Sequence, residues 1–461
     1  MSEFEVISPI DGSVYATRHH ASQHEINDAL ARAELAQVSW KRTPLPQRQS
    51  LCAAMVDAFE ANAEEIAHQI CWQMGRPIRY AKGEVSGLAE RARYMIDAAP
   101  NALQTITLKD KPGFTRYIKR EPLGLVLVIA PWNYPYLTAI NSIIPALLAG
   151  NVVVLKHSAQ TPLCAEQLHS ACVSAGLPAG VFQFLHLSHA DTETMIAHPA
   201  VHQIAFTGSV SGGAMVERVA AGHFKQVGLE LGGKDPAYVR SDADIPYAVA
   251  TLVDGAFFNS GQSCCGIERI YVHQAVYDEF VEQAVALVNQ YVLGRSDDQD
   301  TTLGPMVKTS AADFVRQQIQ EAISQGAHAC IDESRFDMSQ AGTAYLAPQL
   351  LTHVNHSMRV MTEESFGPVV GVQKVASDEE AIRLMNDSDF GLTAAVFTAD
   401  EGAGIAIGEQ IQTGTFFINR CDYLDPALAW TGVKQSGRGC TLSVVGFESV
   451  TRPKSFHLKR V

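Results

Sequence analysis

A chain of 461 residues, 47% hydrophobic and 18% charged, is globular in composition and too long for one simple core, so two or three subdomains are expected. A formal net charge of −14 excludes the broad basic surface that a nucleic acid or an anionic membrane requires. Nine cysteines, an odd number without metal-ligand spacing, fit reduced thiols in the cytoplasm better than a disulfide framework or a metal centre.

The N-terminal Met1-Ser2-Glu3-Phe4-Glu5 is acidic and lacks an apolar run, so no secretory signal is expected. The first hundred residues read as helices with polar faces, over 22–41 and 45–74. Around 105–120, β-type residues alternate with charges (Thr107, Lys109, Thr115, Tyr117, Lys119), the pattern of an exposed hairpin suited to pairing with another subunit. From Pro122 to Leu155 there is no charged residue, but Pro131, Asn133, Pro135, Asn141 and Pro145 interrupt the stretch. A buried strand, a turn, a buried helix and a second strand fit it better than a membrane span.

A regular alternation follows. Apolar runs at 125–129, 152–155, 181–185, 203–206 and 226–229 are separated by helical segments, which predicts a mostly parallel sheet with helices on both faces. A second α/β half is expected from strands at 237–239, 269–272, 369–372, 394–398 and 415–419. The tail, 455–461, is β-like and basic and is expected to lie against the hairpin near Thr107.

Several short stretches carry candidate chemistry. Asn133, in Pro131-Trp132-Asn133-Tyr134-Pro135, follows a buried strand, where an amide N–H can meet an oxyanion; taken alone, an asparagine bonding its own turn is commoner. Lys156 ends the next strand and can reach phosphates or ribose hydroxyls, or simply be solvated. Phe206-Thr207-Gly208-Ser209 leads from a strand into a helix start, an anion site in principle but a weak signal alone. Glu230 lies between Leu229 and Leu231 before Gly232-Gly233, so its proton affinity should be raised, as suits a general base; an ion pair with Lys234 is the plainer alternative. Phe258-Asn259-Ser260-Gly261-Gln262-Ser263-Cys264-Cys265-Gly266 displays a thiol on a flexible loop, although free cysteines are usually buried packing. Glu363-Glu364-Ser365-Phe366-Gly367-Pro368 places two acids before a turn and a strand.

In this order, with these neighbours, the set resembles the aldehyde dehydrogenase superfamily, and Asn386-Asp387-Ser388-Asp389-Phe390-Gly391-Leu392 and Lys434-Gln435-Ser436-Gly437-Arg438-Gly439 extend the match over nearly the whole chain. The resemblance implies an α/β fold with a Rossmann-type cofactor domain (1–103 and 123–231), an α/β catalytic domain (232–434) and a small β oligomerisation flap (104–122 and 445–461). It implies Cys264 as nucleophile, Asn133 with the Cys264 backbone N–H as oxyanion donors, and Glu230 as the base that hydrolyses the thioester. Hydride would pass to NAD or NADP. Lys156 would bind the adenosine ribose, Ser209 the pyrophosphate, and Glu364 with Phe366 the nicotinamide ribose. Trp132, Gly208 and Gly232 would line the cofactor site. A homodimer or homotetramer acting on a small aldehyde in the cytoplasm is the expectation.

Three departures from the family pattern qualify this. Ala159 stands where NAD-preferring members often carry a glutamate, which points to NADP or to dual use. Ser142 and Thr441 replace a lysine and a glutamate that commonly pass protons from the base. Asn141 stands where oxidisers of succinate semialdehyde often place a basic residue. The rival readings are a CoA-acylating relative, which usually lacks the glutamate, a semialdehyde dehydrogenase, a silent scaffold, and a thiol hydrolase without nucleotide.

Overall fold

The computed structural model describes residues 2–460. Strand Leu125–Ala130 is buried at every position, which accounts for the absence of charge around it. It lies inside a six-stranded sheet ordered Gly437–Arg438, Gln226–Glu230, Val201–Thr207, Leu125–Ala130, Val152–His157, Phe182–Phe184. The strands run parallel apart from the short Gly437–Arg438 edge, which arrives from far along the chain. Helix Pro135–Ala149, apolar on nearly all sides, packs behind this sheet and stops at Gly150 in the left-handed region.

A second sheet of seven strands is ordered His328–Ala329, Gln349–Thr352, Val369–Val375, Ile267–His273, Asp235–Val239, Thr393–Phe397, Thr415–Ile418. It is parallel except at the His328–Ala329 edge. The two strands not anticipated here are short, and Gln349–Thr352 is fully buried despite its polar ends. A three-stranded antiparallel sheet joins Ile106–Thr107, Phe114–Pro122 and Thr451–Lys459, with Ser455 opposite Ile118. The tail therefore meets the hairpin as read, and its strand starts earlier than expected.

Two readings need correction. Residues 45–74 form two helices, Leu45–Glu60 and Ala63–Met74, because the chain turns at Asn62, a residue that favours helix ends over interiors. The N-terminal segment also holds a hairpin, Glu3–Ile7 with Val14–His19, turning at Gly12. Its strands are mostly exposed and polar, so no apolar period announces them. Among the described residues no helix is long and apolar enough to cross a membrane. Nor is there a cluster of His, Cys, Asp and Glu placed to hold a metal.

The carboxyl ends of the parallel strands bring the candidate residues together. Thr207 and Glu230 are paired at adjacent strand ends, and the turn with Trp132 and Asn133 leaves the neighbouring strand.

Candidate active site

The cysteine loop is held in an unfavourable backbone conformation. Helix Ile245–Phe257 gives way to Asn259, Ser260 and Gly261 at φ 54°, 56° and 70°, a region costly for residues with a Cβ. Buried hydrogen bonds hold it there. Asn259 Nδ2 donates to the carbonyls of Asn133 (3.3 Å) and Gln262 (3.2 Å), and Arg76 Nε donates to Asn259 Oδ1 at 3.2 Å. Ser260 Oγ donates to the Gly304 carbonyl at 2.7 Å, while Gln262 Oε1 accepts from the Val307 N–H at 2.8 Å. Gly261 has no room for a side chain, since a Cβ there would stand 2.2 Å from the Gly367 carbonyl oxygen. The loop is thereby locked against the turn that carries Glu364 and Phe366.

The two adjacent thiols differ. Cys264 is half-buried, Cys265 fully buried. Cys265 Sγ donates to Asp422 Oδ1 at 3.0 Å, and hydrogen bonding with Cys264 together with burial holds its thiol well above the ordinary range. Only Cys264 lines both large cavities described below.

Glu230 is held by two hydroxyls. Thr441 Oγ1 donates to Oε1 at 2.5 Å and Thr207 Oγ1 donates to Oε2 at 3.0 Å. Burial raises its carboxyl, and these bonds with the Arg91 charge pull partly the other way. Lys234 is not its partner; that ammonium bonds Glu268 (2.5 Å) and Ser365 Oγ (3.1 Å). Beside Glu230 lies a small space of about 20 Å³ whose wall includes Ser142, Gln203, Cys440 and Thr441 along with apolar side chains. Gln203 Oε1, buried there, has no hydrogen-bond partner.

Asn133 is buried and doubly anchored. Its carbonyl accepts from Arg76 Nη2 at 2.6 Å, and its Nδ2 donates to the Gln262 carbonyl at 3.1 Å. An amide nitrogen carries two hydrogens, so one N–H remains available to a ligand.

A cavity of about 460 Å³ opens on one side of Cys264, with Trp132, Gly208, Ser209, Gly232, Glu364 and Phe366 on its wall. Trp132 and Phe366 meet edge to face, centroids 5.7 Å apart. Glu364 accepts from the Gly233 N–H at 3.0 Å, and burial, then the Glu268 charge, push its carboxyl up to about 7. Ser209 caps helix Val210–Ala220 by accepting from the Gly212 N–H at 3.2 Å, which leaves the helix start facing this wall. Lys156 and Ala159 do not line this cavity; they lie at and beyond the end of strand Val152–His157. Lys156 is lowered by burial alone and forms no ion pair among the described residues. A phosphate or ribose fits the cavity wall itself, which offers a helix start and a carboxylate for a hydroxyl, while the Lys156 ammonium lies outside it.

A second cavity of about 420 Å³ opens on the other side, walled in part by Tyr134, Asn141, Ser263, Asp422 and Tyr423. The two cavities share Thr138, Thr207, Glu230 and Cys264. Sequence reasoning foresaw the thiol, the carboxylate and the amide, but not the groups that hold them. Arg76, Thr207, Asn259, Glu268 and the Thr441 bond are long-range contacts without a local sequence signature.

The chain matches the model of the aldehyde dehydrogenase family over residues 1–456. It is 35% identical to a succinate-semialdehyde dehydrogenase [NADP(+)] of Deinococcus radiodurans, over 98% of this chain and 94% of that one. An NADP-dependent glyceraldehyde-3-phosphate dehydrogenase from Bacillus halodurans, solved with NADP, superposes with a TM-score of 0.94 at 34% identity, covering 100% of this chain and 96% of that one. A succinic semialdehyde dehydrogenase from Streptococcus pyogenes, solved with NADP+, gives 0.94 at 29% identity, covering 99% of this chain and 100% of that one. With the thiol and carboxylate at the junction of two cavities, the amide on the wall of one of them, and a family match across nearly every residue, this chain belongs to the aldehyde dehydrogenase family of oxidoreductases.

Proposed function

We propose that the protein oxidises an aldehyde to the carboxylic acid with NAD+ or NADP+, using Cys264 as nucleophile and Glu230 as hydrolytic base. The observation that carries this reading is the junction: one cavity suited to a nucleotide and one suited to a small molecule meet at the only half-buried thiol of the loop. Cys264 sulfur adds to the aldehyde carbon, and the free N–H of Asn133 receives the oxygen as it gains charge. Trp132, Glu364 and Phe366 would hold the nicotinamide, which would supply the acceptor for the hydride lost from the aldehyde carbon as the Cys264 adduct becomes a thioester. Glu230 then takes a proton from water as its oxygen adds to the thioester carbon; the carbon–sulfur bond breaks and the acid departs. The small space lined in part by Thr441, Ser142 and Gln203 is the route proposed for that proton, in place of a charged relay.

The exposed Ala159, three residues after a Lys156 that forms no ion pair among the described residues, supports NADP or dual use, since no carboxylate at that position would repel a 2′-phosphate. The names of the relatives agree with this. The presence of Glu230 favours hydrolysis over transfer to CoA. A cytoplasmic homodimer or homotetramer, assembled through the sheet of Phe114–Pro122 and Thr451–Lys459, completes the proposal. A semialdehyde is the second reading, on the relatives' names. Reduced nicotinamide formed from aldehyde without CoA supports the main reading; dependence on CoA, or no reduction with either cofactor, refutes it.

A further inference from the structure

The cavity on the substrate side of Cys264 has a distinctive wall. Besides Glu230 it carries three carboxylates, Glu90, Asp254 and Asp422, against one guanidinium, Arg91. Four aromatic rings share the same wall: Tyr134, Phe258, Tyr423 and Trp430. Asp422 accepts from Ser263 Oγ and Cys265 Sγ, both at 3.0 Å and both at Oδ1, so Oδ2 has no hydrogen-bond partner among the described residues. Glu90 accepts only the Tyr423 hydroxyl, at 3.0 Å, and neither Glu90, Asp254 nor Asp422 is in an ion pair there.

The one cation is already engaged. Arg91 is buried, and its Nη1 donates to the Leu137 carbonyl at 2.9 Å and to Asn141 Oδ1 at 3.2 Å. The charges of Glu84 and Glu230 act on it as well. Arg420 stacks over the Tyr423 ring at 3.6 Å but is exposed and does not line the cavity. Arg76, the other guanidinium near this face, is paired with Glu84 at 3.0 Å. A ligand carboxylate entering here meets acidic side chains and no free cation. An ammonium meets acidic side chains that no cation of the described residues pairs, beside aromatic rings, of which Tyr134 and Tyr423 already carry the Arg76 and Arg420 guanidinium groups over their faces.

We propose that the aldehyde oxidised by this enzyme bears an ammonium group, primary or quaternary, at the end remote from its carbonyl. The inference rests on the dehydrogenase reading and narrows its substrate class. The aldehyde carbon sits at Cys264, and the cationic end lies among Glu90, Asp254, Asp422 and the aromatic rings. Burial pushes the Asp422 carboxyl up to about 7, and a cation beside it favours its charged form, so binding and ionisation reinforce each other.

The test compares kcat/KM of the intact enzyme for three aldehydes: trimethylammoniobutanal, its neutral isostere with a tert-butyl group in place of trimethylammonium, and succinate semialdehyde. Each is assayed with NAD+ and with NADP+. The ammonium aldehyde is expected to exceed the isostere by roughly tenfold, with the semialdehyde poorest, and the ratio to shrink at high salt. Glu90→Gln is expected to narrow the ammonium-to-isostere ratio several-fold. An isostere that equals the ammonium aldehyde, or a semialdehyde that exceeds it, overturns the charge inference and leaves the dehydrogenase reading standing. No reduction of either cofactor with any of the three overturns the dehydrogenase reading itself.

Discussion

At Cys264 and Cys265 two neighbouring thiols meet different surroundings, and only one of them opens onto both cavities. Cys264→Ala is therefore expected to abolish aldehyde oxidation while cofactor binding, followed by fluorescence titration, persists. Cys265→Ala should retain turnover; the reverse pattern would move the nucleophile. Glu230 makes a second prediction. Burial raises its carboxyl, and the base works only when ionised, so hydrolysis should fall with decreasing pH at a value above the ordinary carboxylate range. The bond from Thr441 stabilises the charged form. Thr441→Val should thus shift the acid limb of the kcat profile to still higher pH, whereas Glu230→Gln should remove the limb along with steady turnover. These residues were legible as candidates because each sits in a contiguous motif, and the structure brings them to one site. The Thr441 bond was not, since a threonine 211 residues from its partner announces nothing locally.

At the scale of elements, the site depends on a cross-tie between three turns. Glu268, on strand Ile267–His273, accepts from the N–H groups of Ser365 and Phe366 at 2.8 Å each and from the Lys234 ammonium. Lys234 follows the Glu230 turn, and Gly233 allows the contact: a Cβ there would stand 2.3 Å from the Cys264 carbonyl oxygen. The pair is buried, at 1% and 4% exposure, so removing one partner strands a charge. Glu268→Ala is expected to cost about 3–5 kcal/mol in denaturant unfolding and to raise KM for the cofactor through the freed Glu364 turn. A loss below about 1 kcal/mol would show the tie to be unimportant. The parallel strands were readable in the sequence because full burial demands unbroken apolar runs. The N-terminal hairpin and Gln349–Thr352 were not, because exposed strands and short strands with polar ends leave no such run.

For the whole molecule, two mostly parallel sheets of six and seven strands are joined by a third small sheet built from segments over 300 residues apart in sequence. Its outer strands, Ile106–Thr107 and Thr451–Lys459, are largely exposed in the single chain, and edges of this kind seek a partner. Deleting 451–460 is expected to lower the molecular mass found by sedimentation from that of an oligomer; an unchanged assembly would place the interface elsewhere. The central claim concerns the covalent step, and a single-turnover experiment on Glu230→Gln tests it most directly. Mixed with aldehyde and cofactor, this variant should release about one equivalent of reduced nicotinamide per chain and stall, with the acyl mass found on the peptide containing Cys264 and assigned to that sulfur by fragmentation. No burst, or an adduct on Cys265, would contradict the account.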